Sequence, residues 1–292
     1  MLDGDLLASQ LPETRGWMSV SGVQTKHQIK LIDRKLVFVD HDGDYLLKPI
    51  PNGRFKHLDQ APANEHLTMQ IARQIFRIET ASNGLVFLGD LSPAYITKRF
   101  DKLGTDRKLL MEDMAQITGR SEERFGENYK YESSYEEIAQ IIRKNCSSYR
   151  LQIEKFYKLV VFNYLFSNGD AHLKNFSLIE EPRLKNSVLA PAYDLLNTGI
   201  HIPGESDTAL ELFGDGFLSE SYSAGSKYNF EDFQIFATRC GIRKERFKSI
   251  YELFITNQMS VQELVNRSFL SEDAKTLYYE SYLRRLDRLK KD

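Results

Sequence analysis

As far as Phe100, apolar residues fall in short runs broken by turn residues; beyond it they shift to helical spacing. Gln28–Leu31 and Lys35–Val39 are two such runs set around Asp33-Arg34, which predicts a hairpin. Tyr45–Lys48 predicts another strand, stopped by Pro49 and Pro51. Within Asn64–Phe76, Leu67, Ile71 and Ile75 recur at one-turn intervals and predict a helix. Leu85–Leu88 and Ala94–Phe100 read as strands.

The second part reads as mostly helix. Tyr135–Lys144 places Ile138, Ile141 and Ile142 on one face. Leu151–Phe166 is apolar nearly all round, which predicts a central buried helix ending at Ser167-Asn168-Gly169. Phe176–Ile179 reads as a short strand. From Phe230 onward amphipathic helices dominate, and the charged stretch from Leu283 to Asp292 predicts a solvated helix. No internal repeat or low-complexity linker interrupts this order. The expected fold is α+β and bilobal: a β-rich N-lobe over residues 1–101 and a mainly helical C-lobe over 102–292. The change falls near Asp101–Thr105.

Composition narrows the class. The chain has 292 residues, 41% apolar and 12% aromatic, enough for a sizeable core. A net charge of -2 argues against direct binding of nucleic acid except through a local basic patch. Cys146 and Cys240 are far apart and form no metal or disulfide pattern, so two reduced thiols are expected. Met1–Asp5 is acidic and lacks the features of a signal peptide, and the apolar stretch around Leu159–Phe166 is too short to span a bilayer. A soluble cytoplasmic protein with no membrane association is expected.

The chemistry concentrates in Asn168-Gly169-Asp170-Ala171-His172-Leu173-Lys174-Asn175, followed by Tyr193-Asp194-Leu195-Leu196. Phosphoryl-transfer enzymes need one carboxylate to orient a hydroxyl, and an amide and a second carboxylate to hold Mg²⁺ against phosphates. Asp170, Asn175 and Asp194 have that order and spacing. Each alone suits a cap or a turn; the triple, set at the end of a buried helix and in the next loop, points to catalysis. Lys174 reads either as a charge-neutralising group or as an exposed lysine. His172 reads either as a phosphate contact or as a packing partner of Asp170. Ser19–Lys26 is a small turn with one glycine that suits phosphates only weakly on its own. Lys48, on the strand that follows, stands where a kinase-like fold carries its phosphate lysine.

Taken together these motifs resemble the HipA family of bacterial serine/threonine protein kinases, toxins of type II toxin–antitoxin systems. Ser19-Val20-Ser21-Gly22-Val23-Gln24-Thr25-Lys26 resembles the family's phosphate loop, and Tyr45-Leu46-Leu47-Lys48-Pro49 its lysine strand. Asn64-Glu65 opens a helix as in the family. Lys98-Arg99-Phe100-Asp101 resembles the hinge, and Met111-Glu112-Asp113-Met114 a further signature. The resemblance implies Asp170 as catalytic base, and Asn175 and Asp194 as Mg²⁺ ligands. It also implies an ATP site formed by Ser21, Gly22, Val23, Gln24, Lys48, Lys98, Phe100, His172, Asn175 and Asp194. Lys98 departs from the family, which often has Glu there. The resemblance also implies inhibitory autophosphorylation at Ser19, with Ser21 as a second candidate, because added negative charge repels the loop from ATP.

With Ser19 so near the start, the chain resembles the short HipT type, and a HipS-like small protein is expected as the counterpart of the missing N-terminal subdomain. A HipB-like DNA-binding antitoxin is an expected partner, with DNA contacted only through it. An aminoacyl-tRNA synthetase is the expected substrate class. Two other readings stay open: a small-molecule phosphotransferase, and a non-catalytic subunit of an antitoxin–operator complex.

Overall fold

The computed structural model describes residues 24–104, 107–183 and 186–290. Ser19, Ser21, Gly22 and Val23 lie outside the described residues.

The first part is built on strands β1 (His27–Ile32), β2 (Lys35–Val39) and β3 (Tyr45–Lys48), then helix α1 (Ala61–Gln74), then β4 (Asn83–Phe87) and β5 (Pro93–Lys98). These strands form one antiparallel sheet in the order β2-β1-β3-β5-β4. The β1–β2 turn is the predicted one. Asp33 and Arg34 both take positive φ, 47° and 64°, as a tight two-residue hairpin turn requires. α1 starts ahead of the expected Asn64, because Pro62 in its first turn has no amide to waste there. Lys48 faces Tyr95 across the β3–β5 pair near the middle of the sheet.

A small hairpin, β6 (Lys102–Leu103) and β7 (Arg107–Lys108), follows. The second part then holds more strand than the mostly helical expectation, in which only Phe176–Ile179 is a strand. β8 (Met111–Asp113), β9 (Ser177–Glu181) and β10 (Asn186–Leu189) form a three-stranded antiparallel sheet in the order β10-β9-β8. Between β8 and β9 run α2 (Met114–Ile117), α3 (Glu122–Phe125), α4 (Tyr135–Asn145) and α5 (Tyr149–Leu165). After β10 come α6 (Glu220–Gly225), α7 (Phe230–Arg239), α8 (Lys244–Thr256), α9 (Gln258–Asn266) and α10 (Glu272–Leu289). Asp113 caps α2 reciprocally: Gln116 N–H donates to Asp113 Oδ1, and Asp113 N–H donates to Gln116 Oε1.

α5 is buried around most of its circumference, as its sequence predicts. Its Phe162, and Phe166 just beyond its end, meet Phe76, which stacks on Phe254 at 4.8 Å between ring centroids. α1 belongs to the same core through Leu67, Ile71 and Ala72. The expectation of a solvated tail needs correction. Tyr278, Tyr282, Leu286 and Leu289 of α10 are buried, and Tyr282 stacks on Phe166. Their helical spacing makes one buried stripe under a charged exterior. Among the described residues no helix is long and apolar enough to cross a membrane.

Candidate active site

A cleft of about 510 Å³ lies between the first sheet and the loops that follow α5 and β10. Lys48, Lys98, Phe100, His172, Asn175 and Asp194 all line it. Its cationic lining also includes Lys26, Arg99, Lys108, Lys130 and Lys174, against the carboxylates Asp101, Asp113 and Asp194. That excess of positive charge suits a polyphosphate. Leu46, Phe100, Met111 and Tyr193 supply an apolar side wall, with the Phe100 and Tyr193 rings 5.8 Å apart.

At the floor, Lys48 is the hub. Its Nζ donates to Glu65 Oε1 at 2.6 Å and also to Asp194 Oδ1. Burial alone would strip its proton, but the Asp194 and Glu65 carboxylates outweigh that and raise its pKa above the usual lysine value. The two acids share the ammonium unequally. Burial works against ionisation at Asp194 too, yet Lys48 and Lys26 together hold its pKa well below the usual carboxylate range. Glu65 is pushed up to about 7 by burial and by the Asp194 charge, with Lys48 only partly offsetting them. Lys26 Nζ stands 3.6 Å from the other Asp194 oxygen. Asp194 sits at φ 54°, a left-handed conformation uncommon for a residue with a side chain.

Asp170 follows the turn after α5. Ser167 takes the left-handed position there, at φ 50°, rather than Gly169. Gly169 is needed for a different reason: a Cβ on it would meet the Glu205 carboxylate at 2.5 Å. Tyr131 Oη donates to Asp170 Oδ1 at 2.6 Å, and His172 Nε2 lies 3.6 Å from the same oxygen. His172 packs edge-on to Tyr131, and burial lowers its pKa to about 4 despite the neighbouring Asp170. Near-neutral imidazole is therefore its working form.

Asn175 Oδ1 is buried and, among the described residues, has no hydrogen-bond partner. A buried amide oxygen without a donor is costly unless something else meets it, and here it borders a cleft shared with the Asp194 carboxylate. Two hard oxygen donors beside a cationic, phosphate-sized space fit Mg²⁺, which takes one or two protein ligands and completes its shell from phosphate and water.

At the hinge, Lys98 N–H already donates to Ser82 O at 2.7 Å, and Arg99 N–H to Asp44 O at 2.9 Å. Among the described residues the Phe100 amide has no backbone acceptor, so Phe100 is the position that can donate to a base edge. Lys98 contributes an exposed side chain at the rim. Gln24 bonds weakly to Pro49 O at 3.5 Å and does not line the cleft. Glu65, Tyr131, Lys26 and Lys130 were not among the expected site residues. Glu65 had a signal, since a strand lysine in a kinase-like fold pairs with a helix glutamate. Tyr131 and Lys130 stand outside every motif.

Residues 18–261 match the HipA-like C-terminal domain. The chain belongs to that family. Among HipA-like relatives, a Haemophilus influenzae protein named "Putative kinase" is 28% identical over 292 residues, covering 94% of this chain and 82% of the relative. "Putative kinase Y4dM" of Sinorhizobium fredii is 30% identical over 209 residues, covering 66% of this chain and 48% of the relative. The fold is similar to a chain of the Shewanella oneidensis toxin–antitoxin complex of HipA, HipB and operator DNA. There the TM-score is 0.69 at 19% identity, covering 93% of this chain and 65% of that one. It is also similar to the Helicobacter pylori proinflammatory kinase CtkA, with a TM-score of 0.56 at 13% identity, covering 89% and 90%. The chain thus spans about half of the Sinorhizobium relative and 65% of the Shewanella chain.

Proposed function

We propose that this HipA-like protein is an ATP-dependent serine/threonine protein kinase with two lobes, 1–101 and 102–292, and the nucleotide in the cleft between them. The observation that carries this reading is the convergence of Lys48, Asn175 and Asp194 on one cationic cleft. Asp170 stands beside it, 3.6 Å from the His172 ring. Lys48 bonds the phosphates once ATP displaces its present carboxylate partner Asp194. The Phe100 amide donates to the adenine edge. Asp170, held by Tyr131, accepts the proton of the acceptor hydroxyl. Asn175 and Asp194 would hold Mg²⁺, which offsets the charge on the phosphates. His172 stays neutral and fixes the Asp170 side of the cleft, while Lys130 and Lys174 attract the nucleotide.

The biological setting is proposed on the family resemblance and on the Shewanella structure, which joins a HipA to HipB and operator DNA. We place this chain in the cytoplasm as the short HipT type of toxin, with a HipB-like antitoxin and a HipS-like small protein as partners. An aminoacyl-tRNA synthetase is the proposed substrate, and Ser19 or Ser21 the proposed autophosphorylation site.

The test is phosphosite mass spectrometry of the wild type and Asp170→Ala after incubation with ATP and Mg²⁺. Phosphate on Ser19 or Ser21 in the wild type alone is expected. Equal labelling of Asp170→Ala would sink the assignment of the base.

A further inference from the structure

The turn that carries Asp170 is braced from behind by Thr198 and Glu205. Gly169 N–H donates to Thr198 Oγ1 at 2.7 Å. The same hydroxyl lies 3.0 Å from Ser167 O and 2.7 and 2.8 Å from the two Glu205 carboxyl oxygens. A hydroxyl has one hydrogen and two lone pairs. The Gly169 amide takes one lone pair. If Glu205 is an anion, the single hydrogen serves either Ser167 O or the carboxylate. The other contact is then oxygen against oxygen at hydrogen-bond distance with no hydrogen between them. If Glu205 is protonated, its O–H donates to the second lone pair and Thr198 O–H donates to Ser167 O, so the hydroxyl is fully used and only the second carboxyl oxygen faces it without a hydrogen.

We infer that Glu205 works as a neutral carboxylic acid whose hydrogen bond to Thr198 positions the Ser167–Asp170 turn. The inference rests on the reading of Asp170 as the base. Glu205 is thus a positioning residue, acting on Asp170 through Thr198 and the backbone of Gly169.

The surroundings agree. Burial raises the Glu205 pKa to about 8; contacts with Thr198, Arg285 and the Gly169 amide pull it down, and the Asp170 charge pushes it further up. The other charged groups facing the cavity beside Glu205 are Asp207, Lys227 and, from α10, Arg284, Asp287 and Arg288. Two of the guanidiniums there are already engaged with Asp207. Arg285 Nη1 donates to Asp207 O at 3.1 Å and Arg288 Nη1 to the Asp207 carboxylate at 2.8 Å. Among the described residues no cation is hydrogen-bonded to Glu205, and burial keeps its proton on at neutral pH.

The protonation is read directly by infrared difference spectroscopy on the full chain, wild type against Glu205→Gln. In the wild-type-minus-Glu205→Gln difference a protonated-carboxyl band is expected at neutral pH and should be lost as pH rises through about 8, while the contribution of Glu65, common to both proteins, cancels. The positioning is read from phosphoryl transfer. As Glu205 ionises, kcat should fall about fivefold, one hydrogen bond's worth, with the KM for ATP unchanged. Glu205→Ala should show that loss at neutral pH. Glu205→Gln, whose amide N–H replaces the acid proton, should restore kcat to within about twofold and flatten the alkaline limb. Absence of the infrared band overturns the inference. So does a Glu205→Gln pH profile that matches the wild type. A wild type that transfers no phosphate defeats the kinase reading instead. The infrared band then still decides the protonation, and the Gly169 amide NMR shift, tracking the same titration or not, decides the brace.

Discussion

Lys48 Nζ lies 2.6 Å from Glu65 Oε1, and each side chain is only 3% exposed. This buried pair also carries Asp194, so Lys48 is a fully buried cation between two carboxylates. Lys48→Met leaves both carboxylates facing each other, with only the half-exposed Lys26 nearby. Removing one partner of a buried ion pair costs about 3–5 kcal/mol. Lys48→Met should therefore lower the urea midpoint by that equivalent, whereas Glu65→Gln should cost less because Asp194 still holds the ammonium. A Lys48→Met midpoint equal to the wild type's would refute this account of the cleft floor.

Among the described residues no donor meets the buried Asn175 Oδ1. Asn175→Ala is expected to weaken ATP binding about tenfold when Mg²⁺ is present, the loss of one favourable contact to a cation. It should leave metal-free nucleotide binding unchanged. Titration calorimetry with and without Mg²⁺ separates the two. An equal loss under both conditions would mean that Asn175 merely supports the loop.

His172 sets an acid limit on stability. Its pKa falls from the usual 6.5 to about 4 on folding, through burial. Both states hold it neutral above about 6.5. As pH drops below that, the unfolded chain takes the proton first, so stability is lost progressively down to about 4. The slope from this one group is about 1.4 kcal/mol per pH unit at most. His172→Gln should remove it, as urea midpoints across that range will show.

Gly169→Ala puts a methyl at 2.5 Å from the Glu205 carboxylate. The carboxyl is the flexible end of its side chain, so it should swing away toward the cavity rather than break the fold. The expected cost is about 1 kcal/mol, one hydrogen bond. Because both changes break the same contact, Gly169→Ala combined with Glu205→Ala should be scarcely worse than either alone. Thermal unfolding of the single and double variants measures that coupling.

The sequence was informative where function depends on neighbours along the chain. Asp170, His172 and Asn175 sit in one loop, and the burial of α5 was visible in its all-round apolar pattern. It was less informative where partners meet across the fold. Glu65 reaches Lys48 only because α1 packs on the sheet against β4 and β5, and Tyr131 reaches Asp170 from a single turn with no periodicity of its own. β8 and β10 are too short for alternation to be counted, which is why the second sheet was missed. In α10 the abundance of Arg and Lys hid the stripe Tyr278, Tyr282, Leu286 and Leu289.

Helix α1 has a consequence that reaches the whole molecule. Asn64 is bonded to Asn197 through both its amide nitrogen and its carbonyl oxygen, and its amide also meets His201 at 2.9 Å. Asn197 in turn donates to Ser281, and Thr68 meets Tyr278. The very next residue, Glu65, holds Lys48. One turn of helix therefore ties Lys48 at the cleft floor to the last helix of the described chain. Such a clamp leaves no slack for α1 to swing outward while the rest stays folded. Moving α1 away from the cleft floor would mean breaking the Asn64–Asn197 and Thr68–Tyr278 bonds along with the Glu65–Lys48 pair.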